Sequence, residues 1–188
     1  MTSTTASVTS TRTWPGAIVI MAIAAFFAYG LPAINKHLPG TAPEPGGINY
    51  DLGNGVSVIT PTGWSADLPK MKPKDTLALQ RDASSLVATA FPWTGNEAEL
   101  TERTQKLLEG IQHFHVKNAP TPFQTSSGLT GKTYAFFSEK MDGRVWVLVM
   151  QGGKVGVAVR VRSIPGQGEL ALKDAKAIVE SIKYQEVK

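Results

Sequence analysis

Residues 143–163 read GRVWVLVMQGGKVGVAVRVRS, and this stretch decides the fold. Two runs rich in valine are separated by Gly152-Gly153, which is the pattern of a β-hairpin with a tight turn. Side chains of a strand alternate between two faces, and both faces of the first strand are apolar, with Val145, Val147 and Val149 against Trp146, Leu148 and Met150. A sheet that is apolar on both sides needs a cover on both sides.

Two amphipathic helices are predicted to provide that cover. Residues 169–182, ELALKDAKAIVESI, place one apolar stripe at Ala171, Ala175, Ile178, Val179 and Ile182. Residues 96–112, NEAELTERTQKLLEGIQ, place another at Leu100, Thr104, Leu107, Leu108 and Ile111. Two helices on a mainly antiparallel sheet predict an α+β fold, built as a three-layer α/β/α sandwich.

Further strands are predicted along the chain between residues 48 and 140. Their patterns lie at GVSVIT (55–60), TLALQRD (76–82), SSLVATAF (84–91), HFHVKN (113–118) and SGLTGKTYAFFSEK (127–140). Together with the hairpin and the two helices, they predict one globular domain over residues 48–188.

This order of elements resembles the PsbP-like fold of the Mog/PsbP superfamily. The matching features are Pro61, Gly63 and Trp64 after the opening strand, the helix in mid-chain, and a final strand pair followed by AKAIVESIKY (175–184). The resemblance covers about residues 48–185. It implies a binding role, because the superfamily includes an extrinsic subunit of a photosynthetic complex, a binder of a small GTPase and bacterial envelope proteins. It implies no catalytic residues.

The N-terminal region contains an apolar segment at residues 13–34, TWPGAIVIMAIAAFFAYGLPAI. No charged residue lies between Arg12 and Lys36, and a helix of about 20 residues crosses the roughly 30 Å hydrocarbon core of a bilayer. We therefore expect a transmembrane helix over residues 14–34, with aromatic rings near its ends at headgroup level. The residues expected to anchor it include Trp14, Ile18, Ile20, Phe26, Phe27 and Tyr29.

Two other interpretations of this segment remain open. A cleaved signal peptide has an apolar region of about 7–15 residues before small residues at the cut. The best small pair here, Ala28 and Gly30, precedes Leu31-Pro32, and proline beside the scissile bond disfavours cleavage. A buried helix of a soluble protein would need a larger domain around it. The chain has no cysteine, which excludes lipid attachment at a cysteine and thiol catalysis.

The flanks of this segment predict its setting. Residues 1–13 are rich in serine and threonine and predict a disordered tail, and residues 35–47, NKHLPGTAPEPGG, predict a Pro/Gly-rich linker. Arg12 and Lys36 nearly balance under the positive-inside rule. The short uncharged N-terminal arm favours a single-pass protein of the cytoplasmic membrane, with its C-terminal domain outside the cytoplasm.

The sequence predicts neither an enzyme nor a cofactor site. His113 and His115 would point the same way on a strand, but two ligands are too few for a usual zinc site. GLTGKT (128–133) has the wrong glycine spacing for a phosphate-binding loop and enters a strand. The net charge is only +4, and Lys70, Lys72 and Lys74 are best explained as a solvated loop, so nucleic acid is not an expected partner.

Three residues are candidates for binding a partner. Alternation puts Arg160 and Arg162 on one face, where they could clamp a carboxylate or phosphate, although a simply solvated strand end explains them too. Trp93, in FPWTGN, is expected in a loop. We predict an accessory or assembly subunit of a larger membrane complex, of the respiratory or transport kind. The alternatives are a carrier of a lipid or other small amphiphile, held between sheet and helix, and, third, an unrecognised hydrolase.

Overall fold

The computed structural model describes residues 14–30, 40–112, 114–150 and 152–186. The chain divides into two compact units, residues 1–39 and residues 40–188. In the first unit, α1 (Trp14–Ala25) continues into a π-helix (Phe26–Gly30). Within the four described ranges, no helix combines the length and the hydropathy that a membrane span needs. Residues 31–34 of the predicted span lie outside the described residues.

The second unit is an α+β domain with antiparallel sheets, as predicted. Its strands are β1 (Thr41–Pro43), β2 (Asn49–Gly53), β3 (Val56–Ile59), β4 (Ser65–Asp67), β5 (Thr76–Arg81), β6 (Ser84–Pro92), β7 (His115–Val116), β8 (Thr121–Gln124), β9 (Thr130–Phe137), β10 (Asp142–Val149), β11 (Val155–Ser163) and β12 (Lys183–Tyr184). Its helices are α2 (Glu97–Gln112) and α3 (Glu169–Glu180). The main sheet has the order β1-β4-β5-β6-β11-β10-β9-β7, with β8 also paired to β9, and a smaller sheet has the order β12-β3-β2.

The two helices pack on opposite faces of the main sheet. Trp146 and Leu148 of β10 join the larger hydrophobic cluster, which contains α3 and the small sheet. Val145 and Val147 of the same strand point the other way and join a smaller cluster with α2. The alternation in RVWVLVMQ thus separates two cores, and the small sheet adds to the α3 side a component that the sequence did not predict.

The folded unit begins earlier than the predicted boundary at residue 48. Thr41 is in register with Asp67, so β1 forms the edge of the main sheet inside the predicted linker. The hydroxyl of Thr60 also donates to the carbonyl of Pro45 over 2.8 Å. Proline is tolerated in β1 because an edge strand leaves one row of backbone groups unpaired. Residues 40–47 therefore belong to the domain rather than to a spacer.

Helix α2 is rotated relative to its predicted orientation. Leu100 and Leu108 are buried as expected, but Leu107 is 50% exposed, whereas Thr101 is only 4% exposed. The Thr101 hydroxyl donates to the carbonyl of Glu97 over 2.7 Å, which satisfies it in the apolar setting. Periodicity in the sequence identifies the helix, but it treats threonine as polar and so misses this side of the buried stripe.

Candidate functional site

One part of the main sheet has no helix over it among the described residues. Helix α2 packs mainly on β7, β9 and β10, so the same face of β5, β6 and β11 is left open. We call this surface the arginine face. Its side chains are half-buried or exposed and include no carboxylate: Thr76 and Gln80 from β5, Ser85, Val87 and Thr89 from β6, and Ala158, Arg160 and Arg162 from β11.

Arg160 lies at the centre of the arginine face. In register it is flanked by Val87 on β6 and Val145 on β10. Burial lowers the pKa of its guanidinium, and the charge of Arg162 lowers that pKa further. An arginine is still charged at neutral pH. Within the described part of the chain, no carboxylate forms an ion pair with it, so Arg160 is a partly desolvated cation without a counter-ion.

Arg162 is the second cation of this face and is held in place by a neighbour. Its Nε donates to the hydroxyl of Ser85 over 2.8 Å. A guanidinium has five N–H donors, so this bond leaves the terminal nitrogens free to bind a ligand. The sequence prediction that Arg160 and Arg162 share a face is confirmed by the pairing of β11 with β6.

Tyr134 lies beside this face and was not predicted from the sequence. Tyr134, Val145, Arg160 and Val87 form one row across four strands, β9, β10, β11 and β6. The side chain of Tyr134 is 2% exposed, and its hydroxyl is buried without a hydrogen-bond partner among the described residues. Burial raises the pKa of Tyr134, the nearby charge of Arg160 opposes that rise, and Glu109 adds to it.

Trp93 is not part of the arginine face. It lies six residues along the chain from Val87, which corresponds to about 20 Å in an extended strand. The guanidinium of Arg103 lies over its ring, 5.6 Å from the centroid, and the ring packs at the edge of the α2 cluster. Its Nε1 is buried without a partner among the described residues. Trp93 is thus half-buried rather than freely exposed in a loop.

The two histidine candidates are not brought into a metal site by the described residues. His115 is exposed on β7, with its ring centroid 5.6 Å from that of Phe137. His113 lies outside the described residues. In the described part of the chain, no group of three or more potential ligands is placed to hold a metal ion.

A second concave feature lies on the opposite side of the sheet. A cavity of about 630 Å³ opens between the start of α3 and the ends of β9, β10 and β11, and we call it the α3 groove. Phe137 and Leu172 contribute to its walls and are 43% and 38% exposed. Its apolar lining includes Ala135 and Val161, and its charged lining is mixed, with Lys117, Arg144, Asp142 and Glu169.

The predicted anchor residues divide between described and undescribed positions. Ile20, Phe26, Phe27 and Tyr29 are 69%, 51%, 63% and 78% exposed in the first unit. The side chains of Trp14 and Ile18 lie outside the described residues. An exposed apolar surface on α1 and the π-helix is compatible with a lipid environment.

Comparison with known proteins identifies the fold. No family model and no curated protein matches the chain. The solution structure of cyanobacterial PsbP (CyanoP) from Synechocystis sp. PCC 6803 superposes with a TM-score of 0.54 at 11% identity, covering 73% of this chain and 92% of that one. A point mutant of the protein Mog1 superposes with a TM-score of 0.50 at 9% identity, covering 73% and 95%. Most of the chain therefore has a PsbP/Mog1 fold, and the expected resemblance is confirmed at the level of fold.

Proposed function

We propose that this chain is a membrane-anchored, non-catalytic accessory or assembly subunit of a larger membrane protein complex of the respiratory or transport kind. Its PsbP-like domain lies outside the cytoplasm and binds the complex through the arginine face. The observation that carries the proposal is this open sheet face, which has two arginines and no carboxylate.

The physical argument starts from the cost of leaving Arg160 as it is. A desolvated cation without a counter-ion is unfavourable, and a carboxylate from another protein would relieve that cost. Arginine is enriched at protein interfaces, and the flat strands of β6 and β11 give a partner a regular surface on which to pack. Val87 and Ala158 supply apolar area between the polar groups.

The membrane part of the proposal rests on the N-terminal segment. Residues 13–34 contain no charge, and α1 and the π-helix run consecutively from Trp14 to Gly30. About 17–25 apolar residues are the usual length of a spanning helix. An anchor of this kind would keep the domain close to membrane complexes and raise its effective concentration there.

Affinity purification from membranes tests this function. The tagged full-length chain is extracted in mild detergent, and co-purifying proteins are identified by mass spectrometry. We expect a membrane complex with the wild type and with the control K173E/K176E, which reverses two exposed charges on α3. The double variant R160E/R162E should lose the complex. Recovery of the wild type as a free monomer would refute the proposal.

A second candidate function is supported by the α3 groove. Its volume of about 630 Å³ falls in the range of about 300–1,000 Å³ typical of small-molecule sites. An amphiphile could place its tail against Phe137 and Leu172 and its headgroup at Lys117 or Arg144. This would make the domain a carrier of a lipid or other small amphiphile, held between sheet and helix.

Native mass spectrometry of the purified full-length protein tests the carrier function. We expect a bound small molecule in the wild type and its loss in Leu172→Trp, because the larger ring fills the groove. The matched control is Leu170→Trp, since Leu170 is 57% exposed and lies outside the lining. A wild-type spectrum that contains only the protein would rule the carrier function out.

A further inference from the structure

We propose that Arg160 and Tyr134 form a carboxylate-binding site, which receives an aspartate or glutamate side chain from an acidic segment of the partner protein. This inference rests on the proposed function, because it specifies the chemistry by which the arginine face recognises its partner. It adds Tyr134, on the far side of β10, to the two arginines.

The strand register brings the two polar groups together. Tyr134 and Arg160 occupy the same row and are separated only by Val145. Neighbouring strands lie about 4.8 Å apart, so the two backbones are about 10 Å apart. Both side chains are long, whereas Val145 between them is short and 1% exposed. Their polar ends can therefore approach one group placed above Val145.

The electrostatics of this row favour an anion. Arg160 has lost part of its hydration, and the neighbouring charge of Arg162 disfavours its own charge further. The nearest carboxylate on the helix side is that of Glu109, which accepts a hydrogen bond from the backbone N–H of Val116 over 3.4 Å. Glu109 forms no ion pair with Arg160. A carboxylate arriving from the open side would thus meet a cation that no described residue neutralises.

The hydroxyl of Tyr134 completes the set of donors. A buried hydroxyl without a partner costs about 1–3 kcal/mol, so its presence at the edge of a binding face calls for an acceptor. An ionised carboxylate consists of acceptors only and can take one hydrogen bond from the hydroxyl and two from a guanidinium fork. Val87 and Val145 offer no further donors, so the row matches a planar carboxylate better than a phosphate with three charged oxygens.

Titration of the full-length protein in detergent with a defined peptide tests the site. The probe is an acetylated and amidated hexapeptide of alternating valine and glutamate, and the matched peptide carries glutamine instead. With arginine Nε and tyrosine ring labels, NMR should show saturable shifts of the Arg160 and Tyr134 signals with the glutamate peptide. The glutamine peptide should leave both signals unchanged, and inorganic phosphate should bind at least tenfold more weakly.

Two variants separate binding from folding. Tyr134→Phe should weaken binding of the glutamate peptide about tenfold, since a hydrogen bond to a charged group is lost. Its melting temperature should be equal to or above that of the wild type, because the free protein loses only an unpartnered hydroxyl. Arg160→Lys should also weaken binding about tenfold, because an ammonium cannot make the paired contact of a guanidinium fork. The control Tyr50→Phe should bind like the wild type.

The outcomes distinguish the site from the proposed function. Equal binding of the two peptides, unchanged binding by Tyr134→Phe, or a response to phosphate without a response to the glutamate peptide would each overturn the site. If a complex co-purifies from membranes and both Tyr134→Phe and Arg160→Lys retain it in full, the function stands and the site is wrong. If the peptide binds as expected and no complex co-purifies, the site stands and the accessory function is wrong.

Discussion

At the scale of single residues, Asp174 connects helix α3 to the sheet through two partners. Its Oδ2 accepts a hydrogen bond from Nε1 of Trp64 over 3.0 Å and lies 2.8 Å from NH1 of Arg81. The guanidinium of Arg81 also lies over the Trp64 ring, 4.5 Å from its centroid. Trp64, one of the residues that suggested a PsbP-like fold, is 2% exposed and needs this acceptor for its indole N–H.

We expect Asp174→Ala to lower the free energy of unfolding by about 2–3 kcal/mol, because it leaves Trp64 without an acceptor and Arg81 without a counter-ion. Urea unfolding at pH 7 measures the change. Lys173→Ala, at an exposed position one residue earlier in the same helix, should change it by less than about 0.5 kcal/mol. Equal effects of the two substitutions would show that the contact with Asp174 adds no stability.

Glu180 gives the domain a pH dependence on the acid side. Its carboxylate accepts a hydrogen bond from the backbone N–H of Ser126 over 2.7 Å, which holds the pKa of Glu180 below its usual value. A lowered folded-state pKa stabilises the protein above the unfolded-state pKa, and this stabilisation is lost as the pH falls through the folded-state pKa. The difference in melting temperature between the wild type and Glu180→Gln should therefore be larger at pH 6 than at pH 3. Glu139→Gln, at an exposed turn position, should show no such difference.

The residues of the candidate site were predictable only in part. Alternation along β11 was enough to place Arg160 and Arg162 together. Alternation along β9 could also have put Tyr134 and Phe136 on one face, but matching Tyr134 to Arg160 requires the register of three strands. One sequence does not contain that register. Trp93 was expected to be exposed because its neighbours are proline and glycine, yet packing against α2 buries half of it.

At the scale of elements, helix α2 begins with a reciprocal pair of hydrogen bonds. The side chain of Asn96 accepts from the backbone N–H of Glu99 over 2.9 Å, and the carboxylate of Glu99 accepts from the N–H of Asn96 over 3.2 Å. This capping box satisfies two backbone donors that a helix start leaves unpaired. The acidic residues Glu97 and Glu99 also suit the positive end of the helix dipole.

We expect Asn96→Ala to destabilise the domain by about 1 kcal/mol, the usual cost of losing an N-cap side chain. Chemical denaturation followed by circular dichroism provides the measurement. Asn118→Ala, an exposed asparagine in the loop after β7, is the control and should be neutral within about 0.5 kcal/mol. If Asn96→Ala is equally neutral, the capping box does not contribute to the stability of α2.

Long elements were predicted better than short ones. The helices over residues 96–112 and 169–182 and the strands of the hairpin agree with α2, α3, β10 and β11 to within two residues at each end. Strands β1 and β12 were missed, because three and two residues carry no measurable alternation. Strand β12 exists because Lys183 is brought into register with Ser57 by the rest of the fold. Tertiary pairing of this kind leaves no local pattern in the sequence.

At the scale of the whole molecule, the boundary between the two units is open to a direct test. A chain that starts at residue 40 keeps β1 and should have the same urea midpoint as the second unit of the full protein. A chain that starts at residue 48 loses β1, the bond from the Glu44 N–H to the Trp64 carbonyl and the Thr60 bond to Pro45. We expect it to be less stable by about 2–4 kcal/mol, since each bond contributes about 1 kcal/mol. Equal midpoints would put the boundary back at residue 48.

The position of β1 also determines how the domain responds to force. In the proposed arrangement the anchor pulls on the chain at Gly40, which directly precedes a three-residue edge strand. Such a pull loads the register pairs of β1 one after another, starting at Thr41 and Asp67, while the long central strands carry little of the load. Release of residues 40–43 would add about 13 Å of slack to the tether and leave α2, α3 and the arginine face folded. Strand β1 would then act as a mechanical fuse between a moving complex and its anchor.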